Sequence, residues 1–564
     1  MRLLRFCFAL VFSCSLLAAA GVAEPTAPPS ATPSPATPTA PPDFSALLAS
    51  TRLVDAPGTG VIVGAIGADG TNIYKAGSSG NGVPLDEHTV FEIGSVTKTF
   101  TATILASMVL DKSVRLDDPV AKYLPRSVHV PTRDGKQITL LDLATQHSGL
   151  PRLPTNLDPT ASDPYATYTV QKMYAFLSSY QLPRDPGASF EYSNYGIALL
   201  GQALANREHT SYAKLLQTRV LRPLGMSETA LSSDMTSAMT ARMASGHDGD
   251  GNPVAAWNFQ AIAPAGAIRS TIADMLKYVR CNMGQGPLAQ ACLLAQQPRS
   301  TIPGSHIGLV WWIDDTTHMI NHGGDTAGFH AWVAIAPDHR RGAVVLANGG
   351  GGTSDIAFHA VDPSYPVLPP QKSMPLDDAT IAQYVGTYAV TGQPLTLTIA
   401  RGANGLTVQL TGQPAVRMYA SSKDHFYLKI APANIDFNRN GSGDVSGLIV
   451  HQAGVTLIAV KPGVPQTTPH PSPSPTVVLD TATLDSYAGT YLVQPGVVFT
   501  VKRDGDKLMV QLTGQPFFQV FPSSKDHFYY TVVTAQIDFE RDANGRVIDL
   551  VLHQNGRDLT AVKQ

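Results

Sequence analysis

The stretch Met319–Asn348, MINHGGDTAGFHAWVAIAPDHRRGAVVLAN, contains the pattern that decides the fold. Its runs MINHGG, FHAWVAIAP and GAVVLAN are short, largely apolar and separated by brief connections, which is typical of strands. A similar run, IGLVWWID, precedes them at residues 307–314. We therefore predict consecutive strands near the end of the first large domain.

The segments before this stretch supply the remaining elements. The sequence GVIVGAIGADGTNIYKAG at residues 60–77 predicts two strands around an Ala-Asp-Gly turn. Helical patterns follow in VTKTFTATILASMVLD, ITLLDLATQHSG and YGIALLGQALANRE. Strands, then helices, then strands predict an α+β domain over residues 44–361, an antiparallel sheet with helices packed against it.

Composition limits the classes of partner. The chain has 564 residues, which is enough for about three domains. Its formal net charge is -3 and 15% of its residues are charged, so it carries no electrostatic footprint for nucleic acid. No long apolar run follows the N-terminus, so we expect no stable membrane span. We expect a small-molecule or peptide substrate, peptidoglycan fragments included.

The N-terminus has the architecture of a secretory signal. MRLLRF supplies positive charge, CFALVFSCSLLAAA is a short apolar run, and GVAEP offers small residues for cleavage after Ala23. We predict a signal peptide over residues 1–23, a Pro/Thr/Ala-rich disordered linker over 24–43 and a periplasmic or extracellular protein. Lipidation of Cys14 is the alternative, although Phe12 and Ser13 make a poor lipobox.

The mature chain retains two cysteines, Cys281 and Cys292. In an oxidising compartment they form one disulfide that closes a short loop; the alternative is a pair of buried thiols. The sequence leaves both readings open.

Two C-terminal segments are copies of each other. YVGTY, VQLTGQP, SSKDHF and IDF in the first copy return as YAGTY, VQLTGQP, SSKDHF and IDF about 102 residues later. Linkers at 362–375 and 462–476 delimit repeats at 376–461 and 477–564. Period-2 patterning with hairpin turns predicts two small all-β antiparallel barrels, lipocalin-like in type. We interpret the repeated Asp-His pair in SSKDHF as a structural turn rather than a catalytic pair.

The stretch Phe91–Phe100, FEIGSVTKTF, places Ser95 three residues before Lys98. On a helix that starts at Ser95, this spacing brings the amine beside the hydroxyl. A serine becomes a good nucleophile when a base takes its proton, and a lysine serves as that base when burial lowers its pKa. Taken alone, the pattern is weak, and a serine helix cap with an exposed lysine is its favoured explanation.

Two further motifs follow in order. FEYSNYG places Tyr192 and Asn194 on a loop before a helix, and NHGGDTAGFHAW places His322, Gly323 and Gly324 on a strand. The set resembles the S-x-x-K, Y-x-N and K-T-G or H-x-G motifs of the penicillin-recognising serine hydrolases, which include class C β-lactamases, D,D-peptidases and serine esterases. Phrases such as RLDDPVAKYLP, ITLLDLATQHSGLPR and RVLRPLGMSET extend the resemblance over nearly all of residues 44–350.

The resemblance implies a role for each residue. Ser95 attacks a carbonyl and becomes acylated, Lys98 and Tyr192 share the general-base work, and Asn194 hydrogen-bonds Lys98 and the substrate amide. The backbone N–H groups of Ser95 and Asp325 form the oxyanion hole. The two glycines leave room for substrate along the strand. No cofactor is implied. The two barrels are reminiscent of those that follow the catalytic domain in D-aminopeptidases.

One departure concerns His322, because many β-lactamases of this family carry lysine at this position. A fixed positive charge for a substrate carboxylate is then missing or conditional. A metal site of His318, His322 and His330 is the rival reading, but no carboxylate or cysteine spacing completes it. We therefore expect an exported hydrolase of D-amino-acid peptides or β-lactams, with an esterase and a non-catalytic binding protein as alternatives.

Overall fold

The computed structural model describes the chain in fifteen segments. They are residues 44–157, 163–302, 304–367, 373–391, 395–402, 405–411, 415–429, 433–452, 455–464, 479–494, 497–513, 517–530, 535–542, 544–554 and 557–564. The predicted signal peptide and linker at residues 1–43 lie outside the described residues, as do parts of the two later linkers. Among the described residues, no helix has the length and apolar character needed to cross a bilayer.

A central antiparallel sheet organises the first large part of the chain. The strands of this part are β1 Gly60–Gly67, β2 Gly70–Gly77, β3 Phe91–Glu92, β4 Ala230–Leu231, β5 Gly246–His247, β6 Pro253–Val254, β7 Ile268–Ser270, β8 Ser300–Ile302, β9 Ser305–Ile307, β10 Trp312–Asp314, β11 Ile320–Asp325, β12 His330–Ile335 and β13 Gly342–Ala347. Eight of them form one sheet in the order β2-β1-β13-β12-β11-β10-β9-β8. The predicted antiparallel sheet is therefore confirmed.

Helices cover both faces of this sheet. The helices of this part of the chain are α1 Phe44–Ala49, α2 Thr97–Leu110, α3 Leu140–Ala144, α4 Val170–Ser179, α5 Asn194–Arg207, α6 Tyr212–Leu216, α7 Ser237–Ala241, α8 Ala263–Gly266, α9 Ile272–Asn282, α10 Ala289–Gln296 and α11 Ser354–Val361. One large apolar core includes α2, α5 and α9, and a smaller core forms where α1 and α11 pack on β1 and β13. The N-cap hydroxyls of Thr139, Thr169 and Ser193 fix the starts of α3, α4 and α5.

Two predicted elements differ in detail. The helix predicted to begin at Ser95 starts as a 3₁₀ turn over Gly94–Val96, and α2 begins at Thr97. The run IGLVWWID is not one strand, because Val310 has a left-handed φ of 70° and interrupts it between β9 and β10. Apolar composition predicted a strand here but not its break.

The first repeat forms a nine-stranded sheet after helix α12 Asp378–Tyr384. Its strands are β14 Gly386–Val390, β15 Thr396–Gly402, β16 Gly405–Leu410, β17 Val416–Arg417, β18 Tyr419–Ser422, β19 His425–Leu428, β20 Ala433–Arg439, β21 Val445–Gln452 and β22 Val455–Val460. The order is β17-β16-β15-β14-β22-β21-β20-β19-β18, so the two end strands are the halves of one extended segment broken at Met418.

The second repeat closes completely. After helix α13 Thr481–Tyr487 come β23 Gly489–Gln494, β24 Val497–Asp504, β25 Lys507–Leu512, β26 Phe518–Ser524, β27 His527–Tyr530, β28 Ala535–Arg541, β29 Val547–Gln554 and β30 Arg557–Lys563. These eight strands form a closed barrel, because β26 runs unbroken where the first repeat has β17 and β18. A core with Tyr491, Phe528 and Ile537 at its centre fills the barrel. The prediction of two small antiparallel barrels is confirmed.

The repeated Asp-His motif forms the same turn in both copies. Asp424 has a φ of 70° and Asp526 a φ of 72°, a left-handed conformation that non-glycine residues adopt rarely. The hydroxyl of Tyr384 donates to Asp424 Oδ1 at 3.0 Å, and that of Tyr487 donates to Asp526 Oδ1 at 2.9 Å. The motif is therefore a structural turn held by a tyrosine, as interpreted from the sequence.

The copies differ on one face. In the first repeat Arg417 pairs with Asp250, the Tyr419 hydroxyl donates to Asp250 Oδ1 at 2.6 Å, and Lys429 Nζ donates to Gly249 O at 3.0 Å. The residues 102 positions later are Gln519, Phe521 and Thr531. The first repeat therefore carries polar side chains that hold the loop at residues 248–252, and the second repeat does not carry these three residues.

These contacts lie inside one compact unit of the chain. That unit comprises the residues up to Val385 with Leu395–Asp436 and Val450–Leu457. The other comprises Gly386–Pro394, Phe437–Ile449 and Ile458–Gln564.

Candidate active site

Three segments that are distant in sequence meet at one cleft. Ser95 lies in the 3₁₀ turn before α2, Tyr192 lies just before α5, and His322 lies in β11. The cleft has a volume of about 530 Å³. Its lining includes Ser95, Arg152, Tyr165, Phe190, Tyr192, Asn194, Phe259, Trp312, His322, Gly323, Asp325 and Trp332. The structure thus brings together the residues that the three motifs predicted.

Lys98 is in direct contact with Ser95. Its Nζ donates to Ser95 Oγ at 2.8 Å and to the carbonyl oxygen of Ala265 at 2.7 Å. The side chain is completely buried. Burial lowers the pKa of Lys98 well below its ordinary value, and the positive charge of Arg152 lowers it further. A neutral amine at this distance is able to take the hydroxyl proton.

The pKa of Tyr192 is shifted in the opposite direction to that of Lys98. Burial raises the pKa of Tyr192 to about 12, although the Arg152 cation and a hydrogen bond with Ser95 both lower it. Lys98 Nζ lies 4.9 Å from the centre of the Tyr192 ring. In the unliganded cleft the phenol therefore keeps its proton near neutral pH. A protonated phenol does not act as a base, which differs from the expectation that Tyr192 shares the general-base work with Lys98.

Asn194 occupies the first position of α5, where the Ser193 hydroxyl caps the helix by accepting from Gly196 N at 2.7 Å. Among the described residues its buried Oδ1 has no hydrogen-bond partner. The expected bond between Asn194 and Lys98 is therefore absent, and Lys98 donates to Ser95 Oγ and Ala265 O. The free amide oxygen remains an acceptor at the cleft wall.

Close backbone packing explains the glycines at the end of β11. A Cβ atom on Gly324 would lie 2.1 Å from Ile93 O and 2.7 Å from Ser95 N, which only glycine avoids. Gly94, with a φ of 48°, faces the backbone of Asp325 in the same way. These contacts bring the Ser95 turn against the strand that carries Asp325. A Cβ on Gly323 would lie 2.2 Å from the Trp332 ring.

His322 is neutral over the physiological range. It is only 2% exposed, and burial together with the nearby Lys98 lowers its pKa to about 3. Its Nδ1 lies 2.7 Å from Gly323 O, and because a carbonyl oxygen only accepts, Nδ1 carries the proton. Nε2 is then an acceptor, and it is buried without a partner among the described residues. The strand therefore presents no positive charge to a substrate.

The alternative prediction for this stretch was a metal site formed by His318, His322 and His330. His330 Nδ1 lies 2.6 Å from Asp325 Oδ1, while His322 pairs in register with Val333. Across the described part of the chain, no group of three or more His, Cys, Asp or Glu side chains is placed to hold a metal ion.

Sequence reasoning missed the walls of the cleft. Arg152 and five aromatic side chains, Tyr165, Phe190, Phe259, Trp312 and Trp332, line it. Arg152 is the last residue of the phrase QHSGLPR, which resembles the family and was the available signal for it. The aromatic residues come from five separate segments, and no local spacing marks them as neighbours.

Cys281 and Cys292 form a disulfide, so the structure decides between the two readings that the sequence left open. The bond joins the C-terminal part of α9 to α10.

Comparisons with known proteins identify the families that the chain matches. Residues 50–361 match the family described as Beta-lactamase, and residues 370–462 and 474–563 each match a domain of unknown function, DUF3471. A beta-lactamase of Pseudomonas fluorescens is 30% identical over 316 residues, covering 49% of this chain and 84% of that protein. The D-alanyl-D-alanine-carboxypeptidase/endopeptidase AmpH of Escherichia coli K12 is 28% identical over 352 residues, covering 62% of this chain and 83% of that protein.

Solved structures show a similar match. The class C beta lactamase from Rhodobacter sphaeroides has a TM-score of 0.47 at 26% identity, covering 54% of this chain and 94% of that one. The beta-lactamase/D-alanine carboxypeptidase from Yersinia pestis has a TM-score of 0.47 at 23% identity, covering 54% and 90%. Because the family match spans more than half of the chain, the protein belongs to the Beta-lactamase family of serine hydrolases.

Proposed function

We propose that the protein is an exported serine hydrolase that cleaves amide bonds of D-amino-acid peptides or β-lactams through an acyl-Ser95 intermediate. The observation that carries the proposal is the 2.8 Å contact between Ser95 Oγ and Lys98 Nζ, whose pKa burial lowers. A nucleophile and a neutral base in direct contact at the wall of an apolar cleft form the minimal apparatus of acyl transfer.

The proposed acylation follows from the protonation states. Lys98 takes the Ser95 proton as Oγ attacks the carbonyl carbon, and the backbone N–H groups of Ser95 and Asp325 stabilise the oxyanion. Tyr192, whose pKa of about 12 keeps it protonated, donates its proton to the leaving nitrogen and is reprotonated from Lys98. Asn194 and His322 offer acceptors to substrate N–H groups. Water then attacks the acyl-enzyme with the same groups acting in reverse.

The domain boundaries and the export also belong to the proposal. We assign residues 1–23 to a signal peptide, 44–361 to the hydrolase and 376–461 and 477–564 to the barrels. The disulfide between Cys281 and Cys292 supports an oxidising compartment, because such bonds are rare where thiols are kept reduced.

A second candidate is an esterase that uses the same residues. The neutral His322 favours it, because neutral esters need no cation on the strand. The two candidates differ in substrate preference rather than in the nucleophile.

The test is labelling with a fluorescent penicillin, followed by mass spectrometry of the labelled peptide. We expect the adduct on Ser95, its loss in Ser95→Ala and its retention in the exposed control Ser233→Ala. Absence of any Ser95 adduct, together with no turnover of p-nitrophenyl butyrate, nitrocefin or a D-alanyl anilide, would reject the hydrolase. Turnover of the ester alone would favour the esterase.

A further inference from the structure

We propose that Arg152 binds a carboxylate of the substrate and replaces the positive charge that the strand residue His322 lacks. The inference deepens the proposed function, on which it rests, by naming the residue that selects substrates with a carboxylate near the bond to be cleaved.

The backbone of Arg152 is fixed beside the catalytic tyrosine. Its carbonyl oxygen accepts from Asn194 N at 3.0 Å and from Tyr195 N at 3.3 Å, and the preceding Pro151 carbonyl accepts from the Ser193 hydroxyl at 2.7 Å. The segment before Arg152 is therefore bonded to the first turn of α5. Any shift of Arg152 relative to Tyr192 and Asn194 would break these bonds.

The side chain points at the reacting groups. The guanidinium carbon lies 5.0 Å from the centre of the Tyr192 ring, and Arg152 lines the same cleft as Ser95. Its charge lowers the pKa of both Lys98 and Tyr192, an effect that requires proximity to both. A substrate whose carbonyl sits at Ser95 therefore has the guanidinium close to it.

Arg152 has no acidic partner among the described residues, in contrast to neighbouring arginines. Arg269 pairs with the buried Glu92 at 3.0 Å, and Arg184 pairs with Glu191 at 2.5 Å. A half-buried guanidinium without a counter-ion is held away from much of its hydration, so an incoming carboxylate gains a charge-assisted, bidentate contact.

The rest of the cleft leaves this role to Arg152. In the described part of the chain it is the only arginine or lysine among the lining residues. Lys98 lies beneath the surface with a lowered pKa, and His322 is neutral. The one acidic lining side chain, Asp325, is already paired with His330 at 2.6 Å. A negatively charged substrate thus meets one permanent cation, and that cation lies on the Tyr192 side.

Binding to an acylation-dead protein tests the inference. We choose Ser95→Ala and measure by calorimetry the Kd of a peptide ending in D-alanyl-D-alanine and of the same peptide with a C-terminal amide. We expect the free acid to bind more tightly. Adding Arg152→Gln should weaken binding of the acid by about tenfold or more and leave the amide within about threefold, as expected for a charged hydrogen bond.

Two matched variants complete the design. Arg152→Lys keeps a positive charge and should retain part of the preference, and the exposed Arg126→Gln should retain all of it. Equal weakening of acid and amide by Arg152→Gln in a protein with unchanged thermal unfolding would overturn the inference, as would equal binding of acid and amide in the parent. Failure of the proposed function shows separately, as the absence of a Ser95 adduct in the wild-type protein.

Discussion

Polar side chains are exposed and paired in the two barrel repeats, whereas several in the cleft are buried without partners in the part of the chain that the structure describes. In the repeats, Asp436 lies 2.8 Å from His425 Nδ1, and its counterpart Asp538 lies 2.6 Å from His527 Nδ1. All four side chains are about one third or more exposed. In the cleft, by contrast, Lys98 is fully buried, and buried polar atoms such as Asn194 Oδ1 lack partners among the described residues.

The difference distinguishes polar groups that are already satisfied within the fold from polar groups that are available to a substrate. A buried polar group without a partner costs free energy, so folded proteins keep few of them. Two such atoms lie in one cleft, the Asn194 oxygen and the His322 nitrogen, beside the half-buried Arg152, which has no acidic partner among the described residues; a substrate that supplies the missing partners explains all three. The exposed and satisfied Asp-His pairs of the repeats need no such explanation.

The largest contrast concerns Lys98 and His527. We expect Lys98→Met to lower kcat/KM for a D-alanyl anilide by about 10²–10⁴-fold, because it removes the base. His527→Ala, which removes an exposed pair, should leave kcat/KM within about twofold, because exposed ion pairs contribute little. Steady-state kinetics of both purified variants checks this. Full activity of Lys98→Met would contradict the proposed mechanism, because Lys98 would then matter no more for activity than the exposed pair of the repeat.

Tyr192 gives the next largest effect. Tyr192→Phe removes the proposed proton donor, so amide hydrolysis should fall by about 10²-fold. A p-nitrophenyl ester has a leaving group that needs no proton, so its acylation should fall much less. Stopped-flow measurement of the two acylation rates distinguishes a proton donor from a ring that only packs. Equal losses would favour packing.

The pH dependence of kcat/KM tests the lowered pKa of the buried Lys98. Activity requires neutral Lys98, whose pKa is lowered, so kcat/KM should rise with pH and reach its plateau well below the ordinary lysine value of 10.5. Because the pKa of Tyr192 is about 12, no falling limb should arise from it below about that pH. In Arg152→Gln the lost cation no longer disfavours the ammonium form, so the rising limb should move to higher pH. If the rising limb does not move in Arg152→Gln, the charge of Arg152 does not lower the pKa of Lys98.

The smallest effect compares the repeats with each other. Tyr419→Phe gives the first repeat the residue that the second has at position 521, and it removes the 2.6 Å bond to Asp250. We expect a loss of about 1.5–3 kcal/mol in the free energy of unfolding, because the acceptor is a carboxylate. Phe521→Tyr in the second repeat is the matched control and should change it little. Chemical denaturation followed by fluorescence measures both.

Much of the fold was readable from the sequence because the signals were local. The hairpin at residues 60–77, the strands after Met319 and the duplication all follow from period and repetition. The meeting of Ser95, Lys98 and Tyr192 was inferable because their motifs occur in a known order. The break at Val310 was not, because a left-handed residue in an apolar run has no composition signal.

The electrostatics of the site depended on burial, which a sequence does not state. The positive charge at His322 was expected to be missing or conditional, and burial, which lowers the pKa of His322 to about 3, favours the first alternative. The role of Arg152 depends on its distance to Tyr192, forty residues away in the chain, and on the absence of a nearby carboxylate among the described residues. Both are properties of the assembled cleft.

The contact between Gly323 and Trp332 constrains how this site is able to evolve. The indole occupies the space that a threonine side chain at position 323 would need, since a Cβ there would lie 2.2 Å from the ring. A change from His-Gly-Gly to Lys-Thr-Gly therefore requires the Trp332 side chain to move or a smaller residue to replace it. Libraries aimed at that tripeptide should vary position 332 as well, because the effect of a substitution at position 323 depends on the residue there.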